Sequence, residues 1–266
     1  MSVIAIYSPK GGVGKSTIAV DLAWRSAVLG GHDTLLWDLD AQGGSSWLLG
    51  HDLDERQRSA GVFQRDGRPQ ALIEATHFEH LYLLPADDSL RQLPLQLARL
   101  GQRRRLQMLT QFMARDYPRI VLDCPPMQNE VSDQIIAAAD VLIVPLPPSP
   151  LSARALDLLR RDLTRNHPRH PPILPVLSMY DSRRRAHRLA RDGVMAPFPV
   201  IPDSSAIEQI EFAIAEEEEV VATSSFDQSR DRLIGTGADR HRLGDQAHGH
   251  VAVPAAVPHR AQQRLG

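Results

Sequence analysis

The stretch SPKGGVGKST, residues Ser8–Thr17, contains Lys10 and Lys15, and of the chain's 30 Lys plus Arg these two are the only lysines, so the other 28 are arginine. A loop that wraps phosphates must bring backbone N–H groups close to the ligand, and side chains block that approach. Gly11, Gly12 and Gly14 remove them, and a helix starting just after the loop offers its N-terminus to an anion. Lys15 then supplies a compact ammonium to the β- and γ-phosphates, for which the planar fork of arginine is the wrong shape. Ser16 supplies a hydroxyl for Mg²⁺, an ion that keeps most of its waters and takes few protein ligands. The strict pattern GxxxxGK[ST] is not met, because Pro9 stands where the first glycine belongs.

Working outward, VIAIY (Val3–Tyr7) reads as the strand feeding the loop, and a helix is expected from about Ser16 to Leu29. Gly30 and Gly31 fit its stop. TLLWDLD (Thr34–Asp40), HLYLLPA, RIVLD, VLIVPL, ILPVLSM and FPVI continue a series of short apolar runs. Helix-like segments such as SDQIIAAAD and SARALDLLRRDL separate them. Strands apolar on both faces, alternating with helices, predict an α/β fold: a mostly parallel twisted sheet with helices on both faces.

The chain has 266 residues, 42% of them hydrophobic, enough for one α/β domain with a real core. No apolar run approaches the ~20 residues of a membrane span. MSVIAIYSPK has no basic leader pattern and reads as a first strand rather than a signal peptide. A single cysteine, Cys124, excludes an internal disulfide and a CxxC metal site, and suits a reducing, cytoplasmic setting. A formal net charge of −2 gives no global attraction to nucleic acid, so such a partner needs a local patch. From about Glu216 a four-glutamate run leads into a polar, proline-containing segment. Residues 1–218 are therefore read as the catalytic domain, and 219–266 as a disordered or divergent tail.

KGGVGKS resembles the deviant Walker A motif of the ParA/MinD family of ATPases, in which the first lysine is distinctive. The resemblance implies a P-loop fold and ATP with Mg²⁺ as cofactors. It also implies an ATP-dependent homodimer, in which Lys10 reaches the partner's nucleotide while Lys15 serves its own. Lys10, Gly11, Gly12, Val13, Gly14, Lys15, Ser16 and Thr17 would surround the phosphates. WDLDAQGG (Trp37–Gly44) is similar to the family's first switch segment, with Ala41 in place of a proline. By that likeness Asp40 positions the attacking water, joining Lys10 and Lys15 as a catalytic residue, and Asp38 supports Mg²⁺. IVLDCPP (Ile120–Pro126) resembles the Walker B strand, with Asp123 behind a Mg²⁺-bound water. Cys124 reads as a small buried residue. VPLPPSPLS (Val144–Ser152) also resembles the family, and relatives place adenine against positions that here are Met179 and Pro202.

Within the family, several branches fit poorly. The end of the chain has prolines at 254 and 258 and no apolar stripe, so a membrane-binding helix is not expected. One cysteine is too few for an iron–sulfur cluster bridged between subunits. All four tyrosines precede residue 181, unlike a tyrosine-rich kinase tail. The ParA-like branch requires a basic face for non-specific DNA. In SRRRAHRLARDG (Ser182–Gly193), Arg184, Arg188 and Arg191 fall at i, i+4 and i+7, on one face of an expected helix. Arg103–Arg105 form a second cluster. The expected function is an ATPase that partitions or positions a cargo on the nucleoid: a plasmid, a chromosome or a protein body. A ParB-like or cargo adaptor would stimulate its hydrolysis. Two alternatives stay open: a regulatory ATPase of a cellulose-secretion or other cell-pole apparatus, and a small-molecule P-loop ligase or kinase.

Overall fold

The computed structural model describes residues 1–51, 58–64, 66–101, 104–126, 129–193 and 195–203. The tail assigned to 219–266, and the boundary at 218, lie outside them. In chain order the regular elements are β1 (Ser2–Ile6), α1 (Lys15–Trp24), β2 (Thr34–Asp38), α2 (Gly44–Leu48), β3 (Glu74–Ala75) and β4 (Leu81–Leu84). They continue with α3 (Leu93–Leu100), α4 (Arg105–Met113), β5 (Arg119–Asp123), α5 (Glu130–Ala138) and β6 (Val141–Leu146). The last are α6 (Pro150–Asn166), β7 (Ile173–Tyr180), α7 (Arg185–Asp192) and β8 (Val200–Pro202).

These strands form one sheet in the order β3-β4-β2-β5-β1-β6-β7-β8. Every pairing is parallel except the short β3–β4 edge. β1 is central, and the chain departs from it to β2 on one side while β6 closes the other. This is the kind of switch point at which open α/β sheets bind ligands, outside the carboxyl ends of the strands.

Both sheet faces are covered. On one, Ala19, Ala23 and Ala27 recur every four residues and pack with Ile6, Leu36, Leu81, Leu83 and Val121. Small side chains at that spacing let α1 lie close to the sheet. On the other face Val3, Ala5, Leu35, Trp37, Ile120 and Leu122 meet α3 to α6. Trp37 lies at 5.6 Å from Phe63 between ring centroids. The expected helix to Leu29 is continuous but changes winding: α1 passes into a π-helical segment, Arg25–Leu29, before Gly31 stops it with φ +64°. The strand expected to reach Asp40 ends at Asp38, because the chain turns there to make the site.

α6 starts with Ser149, whose Oγ accepts from the Ser152 N–H, and with Pro150 in its first turn. Both are strong start signals. α5 starts with a capping box between Asn129 and Ser132. No helix among the described residues is long and apolar enough to cross a membrane.

Candidate nucleotide site

β1 ends at Ile6, and the next eight residues cross its carboxyl end before α1 begins. Gly12 and Gly14 adopt φ +65° and +83°, values that residues with a Cβ rarely adopt. The turn they make points the first N–H groups of α1 outward. Lys15 is buried, and its Nζ donates to the Lys10 carbonyl at 3.2 Å, which curls its ammonium back across the loop. Lys10 is exposed, held by its backbone N–H on Ser8 Oγ at 3.3 Å. The two lysines thus share one loop but face different environments. Val13 is buried beneath the loop.

Sheet register brings the carboxylates together. Asp38 pairs with Asp123 across β2 and β5, and Asp123 pairs with Ile6 at the end of β1. Both carboxyl groups are fully buried. Asp38 Oδ2 accepts from the Ser46 N–H at 3.0 Å and the Ser46 hydroxyl at 2.8 Å, while Oδ1 accepts from the Asp40 N–H at 3.1 Å. Asp123 Oδ2 accepts from Ser45 Oγ at 2.5 Å. Asp123 Oδ1 is buried without a hydrogen-bond partner.

Burial, and then the Asp123 charge, raise Asp38 to about 7 against the hydrogen bonds of Ser46 and Asp40. Burial raises Asp123 to about 6, with the Asp40 charge adding to it, while Ser16, Ser45 and Lys15 pull the other way. Burial thus favours the protonated form of both acids. Asp40 is only half-buried at the rim, where its Oδ1 accepts from the Gln42 N–H at 3.0 Å.

The donor set suits Mg²⁺ carried in with phosphates. Among the described residues no three His, Cys, Asp or Glu cluster as a metal cage, whereas Mg²⁺ commonly takes one or two protein ligands plus phosphate oxygens and water. Ser16 would hold it directly. The orphaned Asp123 oxygen and Asp38 would act from behind it.

The residues that assemble this geometry go beyond those read from the sequence. Gly44, Ser45 and Ser46 begin α2 and were legible only as GGSS after the aspartates. Ser45 holds Asp123, Ser46 holds Asp38, and Gly44 abuts Ser16. Cys124 is buried as expected, its thiol pushed well above the usual range by burial.

Met179 has φ +54°, a left-handed backbone rare for a residue with a bulky side chain. Its methyl group stands 3.7 Å from where a Gly14 Cβ would be. Pro202 pairs with Tyr180, the residue after Met179, on the neighbouring strand.

The arginine stripe is less regular than its spacing predicts. Arg184 is the N-cap of α7, outside the helix, because its backbone is extended. Arg188 donates to the carbonyls of Ser182 at 2.7 Å and Arg183 at 2.9 Å. Arg191 lies 5.6 Å from the centre of the Tyr180 ring. All three are exposed, but two also hold α7 to its own surroundings. In the second cluster Arg103 lies outside the described residues. Arg105 is committed to the short 3-10 segment Ser59–Phe63 and the residue after it, donating to the carbonyls of Phe63, Val62 and Gln64.

Strand, left-handed glycine loop, buried lysine and paired carboxylates define a P-loop nucleotide-binding domain. The AAA domain family model matches residues 1–170. The chromosome partitioning protein ParA of Caulobacter vibrioides (strain NA1000 / CB15N) is 31% identical over 208 residues, 74% of this chain and 77% of the relative. ParA of Myxococcus xanthus (strain DK1622) is 30% identical over 197 residues, 71% of this chain and 69% of the relative. Cobyrinic acid a,c-diamide synthase from Mycobacterium smegmatis, solved with an ATP analogue and magnesium, shares 28% identity at a TM-score of 0.67, over 81% of this chain and 92% of that one. The chain belongs to the ParA/MinD family of P-loop ATPases.

Proposed function

We propose that this protein is a ParA-like partitioning ATPase that dimerises around two ATP·Mg²⁺ and hydrolyses them slowly until a partner accelerates the step. The observation that carries the reading is the split between the two lysines. Lys15 is folded into its own loop, while Lys10 projects from the same loop into solvent, free to meet a triphosphate held by a second copy. Lys10 to Thr17 would bind the phosphates, and Met179 with Pro202 would flank the base. Ser16, Asp38 and Asp123 would hold the Mg²⁺, which supplies charge neutralisation on the phosphate oxygens. Asp40, at the rim, would orient a water towards the γ-phosphorus. Water adds there as the bond to the β-phosphate oxygen breaks, giving ADP and phosphate.

In the ATP-bound dimer, Arg184, Arg188 and Arg191 would contact DNA phosphates without reading sequence, in the nucleoid of the cytoplasm. A ParB-like or cargo adaptor would release the dimer by stimulating hydrolysis. The relatives' names, which include chromosome partitioning proteins, favour such a cargo cycle. A second reading has one specific support. The Mycobacterium smegmatis protein is named as a synthase, so transfer of the phosphoryl group to a small acceptor is the rival chemistry.

Light scattering with and without ATP·Mg²⁺, beside a phosphate-release assay lacking any acceptor, tests the proposal. A nucleotide-dependent doubling of mass with free phosphate as product supports it. A particle that stays single, and releases phosphate only when an acceptor is added, defeats it. Charge reversal of Arg184, Arg188 and Arg191 together should abolish retention on duplex DNA while the dimer persists.

A further inference from the structure

His187 is the one buried residue of α7; Ala190 is half-buried and the rest of the helix is exposed. A lone buried histidine is commonly just a satisfied core side chain, so its role depends on what it touches. Its Nδ1 accepts from the Asp181 N–H at 3.0 Å. A backbone amide only donates, so Nδ1 carries no proton and the ring hydrogen sits on Nε2. The carbonyl of the same peptide unit, that of Tyr180, accepts from the Asp203 N–H at 2.9 Å. One peptide group is thus clamped from both sides, by α7 and by the residue after β8. The Tyr180 ring lies 6.2 Å from the imidazole between centroids.

The clamped peptide comes directly after Met179, whose φ of +54° a bulky side chain rarely adopts. Such a backbone persists only where its surroundings hold it. The sheet ladder does not hold it here, because the β7–β8 register is irregular between Leu177 and Tyr180. The bonds from His187 and Asp203 do. The side chain they set in place is 40% exposed, and its methyl group stands 3.7 Å from where a Gly14 Cβ would be, against the phosphate loop. We propose that His187 is a positioning residue for the nucleotide base. Through the Asp181 N–H it fixes the backbone that turns Met179 towards Gly14, and so sets how tightly the base is held. The inference rests on the reading above that Met179 flanks the base. His187 acts through Met179 and not by contact with the nucleotide, and its working part is the acceptor nitrogen, not the bulk of the ring.

The test compares two variants of the full chain. H187N keeps an oxygen acceptor where Nδ1 stands, whereas H187L fills much of the space and accepts nothing. Titration calorimetry with Mg²⁺·ATP should show affinity lowered by about tenfold in H187L and close to wild type in H187N. Mg²⁺·tripolyphosphate, which has no base, should bind all three proteins alike. A second readout needs no nucleotide: hydrogen exchange of the Asp181 amide, followed by NMR, should be slow in the wild type and H187N and fast in H187L. Far-UV circular dichroism should stay unchanged, because Arg188 still ties α7 to the carbonyls of Ser182 and Arg183. Wild-type ATP affinity in H187L overturns the inference. So does equal failure of H187L and H187N, or equal loss of ATP and tripolyphosphate, either of which makes His187 a packing residue. M179A separates this inference from the reading beneath it. If M179A binds ATP normally, Met179 does not flank the base and that reading fails; if M179A weakens ATP while H187L does not, only the role of His187 falls.

Discussion

Gly44 lies so close to Ser16 that a Cβ on it would stand 2.8 Å from the Ser16 hydroxyl oxygen and 3.2 Å from the Ser16 Cβ. The turn after β2 and the first turn of α1 thus share one small volume, and Ser16 is held in place by a residue 28 positions later. The phosphate loop is not an isolated motif; the position of its Ser16 hydroxyl is shaped by the segment that carries Asp38 and Asp40.

Gly44→Ala should therefore disturb the site without unfolding the chain. Ser16 would have to move, and affinity for Mg²⁺·nucleotide should fall by about tenfold, measured by titration with a fluorescent ATP analogue. Nucleotide binding without Mg²⁺ should change much less. Equal loss with and without Mg²⁺ would contradict the role given to Ser16.

Lys10→Ala and Lys15→Ala should fail in different ways. With Lys15 removed, the loop loses its buried ammonium and nucleotide binding should be lost in the single subunit. With Lys10 removed, one subunit should still bind ATP, but nucleotide-dependent dimerisation and stimulated hydrolysis should disappear. Light scattering and equilibrium nucleotide binding on the two variants separate these outcomes, and identical defects would argue against the division of labour.

Asp40→Ala should lower hydrolysis by about two to four orders of magnitude, the usual contribution of a positioned base, while leaving ATP bound. The dimer should then persist in ATP for longer than that of the wild type. A variant that hydrolyses normally would remove Asp40 from the reaction.

The buried acids give the nucleotide-free protein a defined response to pH. Unfolded, Asp38 and Asp123 titrate near 3.8; folded, they hold their protons to about 7 and about 6. Between those limits the folded chain binds more protons than the unfolded one, so stability is full below the lower value and declines as pH rises towards neutrality. The thermal midpoint should fall across that window, and saturating Mg²⁺·ATP should flatten the fall by bringing a cation that favours the ionised carboxyls. A midpoint that rises with pH in the nucleotide-free chain would mean that these acids ionise readily when folded.

Much of this was legible along the chain because the chemistry is local. A phosphate loop needs glycine, lysine and serine within a few residues, and SPKGGVGKST carries them in order after an apolar strand. Runs such as RIVLD and VLIVPL announce strands buried on both faces, and the parallel sheet follows. Asp38, Asp40 and Asp123 are marked by the likeness of their segments to those of the family; Asp38 and Asp123 do end strands, whereas Asp40 lies two residues beyond β2.

What those aspartates touch was decided by the tertiary structure. Asp38 and Asp123 are 85 positions apart, and only the β2–β5 register makes them neighbours. Burial then makes two ordinary carboxyls hold their protons more tightly. Ser45 and Ser46 gained their partners, and Gly44 its need to be small, only when α2 packed over the start of α1. The arginines changed meaning in the same way. Helical spacing alone treated Arg184, Arg188 and Arg191 as equivalent, but one is a cap, one holds loop carbonyls and one lies over a tyrosine. Spacing is a property of the chain; which atoms are close, and which are dry, depends on the fold that brings distant segments together.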